Sequence, residues 1–194
     1  MSRVRIIERS DARRADAERF IRDVYACEYE AHIGQIADRL ICRWGPDGEI
    51  LCVAGLRLVE SGFFSEQYLA EPIEAALGRA TGHDVRRDEI FEVTTLASRS
   101  PRDIAGFIDD IIATGVGYGL SWSFFTLTRR LSLLIQRLHI APIYLADADP
   151  GRVADAASWG RYYETDPKVY GACGVELLTP LVPRVREARH ASVL

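Results

Sequence analysis

Ile90-Phe91-Glu92-Val93-Thr94-Thr95-Leu96 is the stretch of sequence that indicates the fold most clearly, and a helix start follows it at Pro101. The stretch is rich in β-branched and aromatic residues, which favour a central strand. Pro101 and Asp103 are typical of a first helical turn, and apolar residues recur after them at helical spacing: Ile104, Phe107, Ile108, Ile111 and Ile112. A strand that leads through a short loop into an amphipathic helix indicates an α/β (α+β) fold.

Upstream of this unit, two apolar runs flank the turn sequence Gly45-Pro46-Asp47-Gly48. Residues 39–44 and 50–58 therefore predict a β-hairpin.

The remaining segments extend the alternation of strands and helices. Asp11 is the expected N-cap of a first helix that runs to about Ala31. We predict strands at 4–7, 120–127, 140–145 and 175–181, helices at 129–138 and at 148–157, and an aromatic loop region at 158–171. The segment 66–79 is also predicted to be helical around Pro72, where the proline can open a new helix. This order predicts one mixed sheet covered by helices, in a single domain over residues 1–183 with a C-terminal tail at 184–194.

Composition limits the classes of function. The chain has 194 residues and a formal net charge of −4, which fits one domain and excludes the broad basic surface that nucleic-acid binding needs. Its longest uncharged run, from Ile111 to Thr128, contains three glycines and is interpreted as a helix end, a turn and a buried strand rather than a membrane span. No apolar signal segment and no C-x-x-C pair are present, so we expect a cytoplasmic protein with reduced, mostly buried cysteines.

Common catalytic motifs are missing. The chain has no G-x-S-x-G, and its four histidines are isolated, so neither a hydrolase nor a metal site is predicted. Gly115-x-Gly117-x-Gly119 follows a predicted helix and precedes a strand, which is the wrong order for a phosphate-binding loop. Cys42 and Cys52 are expected to be packed core thiols on paired strands.

The central strand and the loop after it carry the main candidate residues. The loop from Ala97 to Arg102 enters a helix, and its backbone N–H groups with Arg99 suit a phosphate; an ordinary polar loop is the alternative. A carboxylate on a central strand needs a partner or a task, so Glu92 predicts either an ion pair with Arg57 or a catalytic or substrate-orienting role. Glu66 is either a second carboxylate of the same cleft or part of a helix start.

Residues 159–164, Trp-Gly-Arg-Tyr-Tyr-Glu, place three aromatic side chains within six positions. Such a cluster walls a ligand cleft, supplies a phenol as an acid, or covers the core, and the sequence leaves these alternatives open.

Several segments together resemble the thermostable hemolysin family. They are Val53–Arg57, Phe64–Glu74, Phe91–Ala97, Phe124–Thr128 and Trp159–Tyr163, within roughly residues 15–170. The run Glu66-Gln67-Tyr68-Leu69, which continues to Pro72-Ile73-Glu74, is the most specific of them. That family is similar to GCN5-related N-acetyltransferases (GNAT) and to acyl-homoserine-lactone synthases, so the resemblance implies a GNAT-like mixed sheet with a central splay, flanked by helices.

The resemblance also implies an acyltransferase that moves an acyl group from a thioester to the amine of a small molecule. The donor, acyl-coenzyme A or the phosphopantetheine of an acyl-carrier protein, is expected where the strands splay, on Leu96, Ala97, Ser98, Arg99 and Arg102. The R/Q-x-x-G-x-G/A loop usual in this fold is absent, which favours the carrier protein. Its acidic surface would meet Arg99 and Arg102 together with Arg129, Arg130 and Arg137.

On this basis we assign roles to the site residues. Glu92 is the expected base, and Tyr162 or Tyr163 the expected acid that protonates the departing thiolate. Residues expected to contact the substrate are Arg57, Glu66, Thr94, Thr95 and Trp159. Thr94-Thr95 stands where the family tends to have Gly-Asn, so an altered chemistry is open. No metal and no permanently bound cofactor are expected.

Two other functions stay open at this point. The family name suggests a membrane-perturbing protein, although the sequence contains no long span and no amphipathic helix rich in basic residues. A GNAT-like scaffold that serves another biosynthetic reaction is the second alternative. Whether the chain forms a homodimer is also left open.

Overall fold

Seven strands form one mixed sheet in the computed structural model, which describes residues 3–138 and 140–174. The strands are β1 (Arg3–Ile7), β2 (Arg39–Trp44), β3 (Ile50–Arg57), β4 (Ile90–Ser98), β5 (Trp122–Leu127), β6 (Ile143–Asp147) and β7 (Lys168–Cys173). The helices are α1 (Arg14–Tyr29), α2 (Ile73–Thr81), α3 (Pro101–Gly117) and α4 (Arg129–Arg137). The sheet order is β1-β2-β3-β4-β5-β7-β6, and the predicted mixed sheet flanked by helices is confirmed.

The predicted hairpin is β2–β3. The two strands pair antiparallel from Arg39 opposite Leu56 to Trp44 opposite Ile50. Gly48 has a φ of 81°, which only glycine adopts readily, and this explains the glycine at the end of the turn sequence. β1 adds to the outer side of β2 in antiparallel register.

β4 and β5 are the parallel pair at the centre of the sheet, and they separate part-way along their length. Their ladder runs from Ile90 opposite Trp122 to Val93 opposite Phe125, although both strands continue beyond these residues. On its other side β4 stays paired with β3 as far as Ser98, with an irregularity between Val53 and Gly55. The separation is the predicted central splay, and it leaves one side of β4 beyond Val93 without a neighbouring strand.

The helices cover both faces of the sheet. α1 packs with Leu40, Val53 and Ala97 in one core cluster, and α2 packs with Phe124 and Val169 further along the same face. α3 packs on the opposite face, where its Phe107 and Ile111 form a cluster with Ile41, Ala54, Leu56, Phe91 and Val93. α4 lies beside α3, with Ile135 against Ile108 and Leu127.

The starts of α1 and α2 compare differently with the prediction. Asp11 does not cap α1; its carboxylate accepts the N–H of Arg13 at 2.8 Å in a turn, and the helix begins at Arg14. The segment 66–79 consists of two helical pieces, a 3₁₀ turn at Ser65–Tyr68 and α2, and α2 begins after Pro72, where the proline was expected to open a new helix. Proline restricts the residue before it to extended conformations, which separates the two pieces.

The C-terminal third also differs from the prediction. The predicted helix at 148–157 is absent. Its place is taken by two 3₁₀ turns, Pro150–Arg152 and Ala156–Trp159. The predicted loop region 158–171 contains the start of β7, which inserts between β5 and β6. Gly171 weakens the strand signal, but a Cβ there would lie 2.4 Å from Leu77 Cδ2, so glycine lets α2 pack closely on β7. The predicted strand 175–181 and tail 184–194 lie outside the described residues.

The long uncharged run divides as predicted into the end of α3, a turn and β5. Over the part of the chain that the structure describes, no helix combines the length and the apolar character that crossing a membrane requires.

Candidate active site

A cavity of about 820 Å³ occupies the splay between β4 and β5 and reaches both faces of the sheet. Val93, Thr94, Thr95 and Leu96 of β4 form one wall, and residues 125–128 at the end of β5 form the other. The cavity therefore lies where the sheet provides backbone groups without a neighbouring strand.

The two ends of the cavity differ in character. On the α3 and α4 face its walls are aliphatic and form what we call the apolar arm: Ile104, Ile108, Ile111, Ile112, Leu131, Leu134 and Ile135. On the α1 face its walls are aromatic and form what we call the aromatic chamber: Tyr25, Tyr29, Phe64, Tyr68, Trp159 and Tyr162. The site can thus hold an aliphatic group and a more polar group on opposite sides of the splay.

Glu92 is fully buried beside the aromatic chamber and is not among the residues that line the cavity. Its Oε2 accepts the N–H of Phe64 at 2.6 Å and its Oε1 accepts the N–H of Ser65 at 2.7 Å. Arg57 lies opposite Glu92 in the β3–β4 ladder, but its guanidinium donates to the Ser61 carbonyl. Burial raises the pKa of Glu92, while the hydrogen bonds and the nearby Arg57 charge act against that rise. The carboxylate therefore fastens the segment 64–65 to β4.

Glu66 holds the start of α2. Its Oε1 accepts the N–H of Ile73 at 2.9 Å, and its carboxylate is paired with Arg87, which also pairs with Glu74. The hydrogen bond from Arg87 lowers the pKa of Glu66, although burial acts against this. Neither Glu66 nor Arg57 lines the cavity, so the structure does not bring these two predicted substrate-orienting residues to it.

The two candidate phenols occupy different positions. Tyr162 lines the cavity and is packed among Tyr25, Tyr29 and Trp159, with ring centroids 5.2–6.3 Å apart. Burial raises its pKa well above the ordinary value, so the phenol stays protonated. Tyr163 is outside the cavity lining, and its hydroxyl is hydrogen-bonded to that of Tyr68 at 2.7 Å.

Thr94 and Thr95 both line the cavity, and their hydroxyls lie on the same side of β4. A Cβ at Gly55 would be 2.4 Å from Thr94 Oγ1 and 3.2 Å from Thr95 Oγ1. Successive strand residues normally point to opposite faces, but Thr95 has a φ of 45°, which turns its side chain to the face of Thr94. This backbone conformation is unusual for a β-branched residue, and the buried Thr95 hydroxyl has no hydrogen-bond partner in the structure.

The predicted anion loop lies beside the cavity, but its side chains are arranged differently from the prediction. Leu96, Ser98 and Arg99 line the cavity, whereas Ala97 and Arg102 do not. The Arg99 guanidinium is directed to α1, 3.6 Å from the Asp23 carboxylate and 5.0 Å from the Phe20 ring centroid. Ser100 caps α3 by accepting the N–H of Arg102.

Four arginines stand along the cavity: Arg99, Arg129, Arg130 and Arg137. Arg130 is 77% exposed and lies 3.7 Å from the Glu28 carboxylate at the end of α1. The predicted docking arginines are therefore brought together at the cavity, except Arg102.

Sequence reasoning missed several residues of the site. Ser65 and Thr126 line the cavity, and their hydroxyls are hydrogen-bonded to each other at 2.9 Å. Tyr25 and Tyr29 come from α1, where their spacing of four residues places both rings on one helical face. That spacing and the position of Ser65 next to the Glu66-Gln67-Tyr68 run were the available signals.

The cysteines and metal-binding residue types form no second centre in the described ranges. Burial raises the pKa of the Cys42 thiol to about 12 and that of Cys52 to about 11, so both stay protonated. Cys27 is exposed and Cys173 half-buried, so only two of the four thiols are buried, fewer than predicted. Within residues 3–138 and 140–174, no three His, Cys, Asp or Glu side chains are grouped as metal ligands.

Comparison of the sequence with known families gives one match. The profile of the family described as Thermostable hemolysin matches residues 7–176, which is most of the chain. No curated protein matches the chain by sequence.

Solved structures with the same fold include acyl-transferring enzymes. FeeM, an N-acyl amino acid synthase from uncultured soil microbes, is 13% identical, aligns over 91% of this chain and 94% of its own, and gives a TM-score of 0.59. The AHL synthase LasI is 10% identical over 90% of each chain, with a TM-score of 0.59. A GCN5-related N-acetyltransferase from Kribbella flavida is 13% identical over 88% of this chain and 97% of its own, with a TM-score of 0.51. These likenesses show a common, GNAT-like fold.

Proposed function

Because this chain belongs to the thermostable hemolysin family and shares its fold with N-acyltransferases, we propose that it transfers an acyl group from a thioester donor to the amine of a small acceptor. The observation that carries the proposal is the cavity at the splay, which joins an apolar arm to an aromatic chamber across unpaired strand backbone. A thioester bound across that point would present its carbonyl to the backbone of β4 and its chain to the aliphatic walls.

The unpaired backbone of β4 at the splay is proposed to bind the carbonyl group of the donor. We assign its polarisation to a backbone N–H near Leu96 or Ala97, since a fixed N–H directed at a developing oxyanion lowers the barrier to attack. The apolar arm is lined by side chains of α3 and α4 and suits an aliphatic acyl chain, whose transfer from water is favourable. The acceptor amine then approaches from the aromatic chamber.

The chemistry needs a base and an acid on either side of the carbonyl carbon. As the amine nitrogen attacks, the C–N bond forms and the nitrogen sheds a proton, which we assign to Glu92. When the tetrahedral adduct collapses, the C–S bond breaks and the thiolate takes a proton, which we assign to Tyr162. Tyr162 is preferred to Tyr163 because it lines the cavity and Tyr163 does not. Solvent exchange afterwards moves one proton from Glu92 back to the phenolate.

The donor is proposed to be carried by an acyl-carrier protein, with acyl-coenzyme A as the alternative. Carrier proteins are acidic, and Arg129, Arg130 and Arg137 at the cavity would attract such a surface. Both types of donor are made inside cells, so the proposal places the reaction in the cytoplasm. Over the described residues, Thr94, Thr95 and Trp159 remain the proposed substrate contacts, because all three line the cavity.

The experiment that tests the function is thiol release from a panel of acyl-coenzyme A and acyl-carrier donors, with and without added amines. Amine-dependent release is the expected result. Its absence with every donor, together with leakage of liposomes at micromolar protein, would support a membrane-perturbing function instead.

The donor type is tested by the double variant Arg130→Glu/Arg137→Glu. It should raise the KM for the carrier-bound donor by about tenfold or more, since two attractive contacts become repulsive, while the KM for the same acyl group on coenzyme A changes less. Arg79→Glu, at an exposed position of α2 outside the cavity lining, is the control. Unchanged carrier-dependent turnover in the double variant would exclude docking at these arginines.

A further inference from the structure

A row of hydrogen bonds joins the cavity to the buried Glu92. Thr126 at the end of β5 lines the cavity, and its Oγ1 is 2.9 Å from Ser65 Oγ. Ser65 is only 2% exposed, its N–H donates to Glu92 Oε1 at 2.7 Å, and a hydrogen bond from its hydroxyl lowers the pKa of the Glu92 carboxylate. Three residues from distant parts of the chain therefore form one continuous path from the cavity wall to a carboxylate that the cavity does not reach.

The protons along this row have a defined direction. An ionised carboxylate only accepts hydrogen bonds, so the single proton of the Ser65 hydroxyl points to Glu92. Ser65 Oγ can then interact with Thr126 only as an acceptor, so Thr126 donates to Ser65. The remaining lone pairs of Thr126 Oγ1 are left to accept a proton from a group in the cavity.

We propose that Thr126 and Ser65 relay the proton of the attacking amine to Glu92. The inference rests on the proposed acyl transfer and adds to it the route by which the buried base acts. As the C–N bond forms, the amine proton passes to Thr126 Oγ1, the Thr126 proton passes to Ser65 Oγ, and the Ser65 proton passes to the Glu92 carboxylate. The net change is one proton moved from nitrogen to carboxylate; each hydroxyl again holds one proton, and the directions of their hydrogen bonds are reversed.

The surroundings of Glu92 explain why the route has to pass through hydroxyls. Its two oxygens are already held by the N–H groups of Phe64 and Ser65, and the residue has no exposed surface. The other charged or titratable groups that act on it are Arg57, across the β3–β4 ladder, and the Tyr68 phenol. The pKa of Glu92 is raised by burial, which makes it a stronger base than an exposed carboxylate.

The relay is tested first by removing each hydroxyl. Thr126→Val and Ser65→Ala should each lower kcat by about 10- to 100-fold, part of the general-base contribution, without changing the KM of the thioester donor. The limb of the pH–rate profile that reports ionisation of Glu92 should disappear in both variants. Thr126→Ser and Ser65→Thr, which keep the hydroxyls, should restore it. Thr114→Val is the matched control, because its hydroxyl donates to the Asp110 carbonyl in α3, away from the row.

A second measurement needs no substrate. A raised folded-state pKa means that the stability contributed by protonated Glu92 is present at low pH and is lost as pH rises through that pKa. Ser65→Ala removes a hydrogen bond to the ionised form, so the loss should move to higher pH in the thermal unfolding of this variant. Thr126→Val, which has no bond to Glu92, should leave it in place.

The outcomes separate the relay from the function. Wild-type protein that releases thiol, with Thr126→Val and Ser65→Ala retaining its rate and its pH profile, would overturn the relay alone. Wild-type protein that releases no thiol with any donor would overturn the proposed function and the relay together. Loss of activity that Thr126→Ser and Ser65→Thr fail to restore would assign these residues a packing role and overturn the relay.

Discussion

Replacing Glu92 by glutamine removes the buried charge beside the cavity while keeping the size of the side chain. In the wild type, both carboxylate oxygens accept backbone N–H groups, from Phe64 and Ser65, at 2.6 and 2.7 Å. The amide of glutamine keeps one accepting oxygen, but its nitrogen only donates. One of the two backbone N–H groups is therefore left facing another donor.

The size of the effect follows from these contacts. A buried donor that loses its acceptor costs about 1–3 kcal/mol, and burial of a neutral amide in place of a charge returns part of this. We expect a net loss of about 2 kcal/mol, which lowers the Tm of a chain of this length by about 4–8 °C. Loss of the proposed general base should lower kcat by about a hundredfold or more.

The assay combines thermal unfolding with amine-dependent thiol release at saturating donor. Gln67→Ala is the matched control, because Gln67 Nε2 donates to the Phe64 carbonyl at 2.8 Å and so holds the same segment without touching the carboxylate. This variant should lose stability but keep kcat within about threefold of the wild type.

Two results would contradict the role proposed for Glu92. A folded Glu92→Gln variant with near-normal kcat would remove Glu92 from the chemistry. A Gln67→Ala variant that loses as much activity as Glu92→Gln would show that the segment's position, and not the carboxylate, supports turnover.

Two further predictions concern the cavity wall. Tyr162→Phe should lower kcat about tenfold or more while leaving Tm near the wild-type value, because the ring keeps its contacts with Tyr25, Tyr29 and Trp159 and only the hydroxyl of the proposed acid is lost. Unchanged kcat in thiol-release kinetics would assign the acid elsewhere. Thr95→Asn should raise Tm by about 2–4 °C in thermal unfolding, because asparagine tolerates the φ of 45° better than a β-branched residue does. A lower Tm for this variant would show that the wild-type backbone at Thr95 is not strained.

The strand and helix pattern was predictable wherever the signal is local. The hairpin around Gly45–Gly48, the strand that starts at Ile90 and the helix that starts at Pro101 each carry their own turn or capping residues, and all three are present. β7 was not predicted because Gly171 interrupts the pattern of strand-forming residues. A glycine is needed there because Leu77, almost a hundred positions away in the chain, packs against it. A contact between residues so far apart cannot be recognised from the neighbouring sequence.

The site was predictable in outline, as a carboxylate, a loop and an aromatic cluster near a central strand. The contacts that these groups make could not be predicted. Glu92 was expected to pair with Arg57 or to contact the substrate, but its oxygens accept hydrogen bonds from the backbone N–H groups of Phe64 and Ser65. Glu66 was expected at a cleft or at a helix start, and it holds the start of α2. Spacing along a strand shows which face a residue occupies, but not which loop closes over it.

Most of the element order, the family resemblance and the types of residue in the candidate site follow from the amino-acid sequence alone, because propensity, turn chemistry and periodicity are properties of neighbouring residues. Three features are visible only in the folded chain: β4 and β5 separate after Val93, Thr95 turns to the side of Thr94, and Ser65 and Thr126 connect Glu92 to the cavity. These features depend on strand register and on loop closure, which arise from contacts between distant residues. The stretch from Ile90 to Leu96 specifies a strand, while the sheet around it specifies where that strand opens.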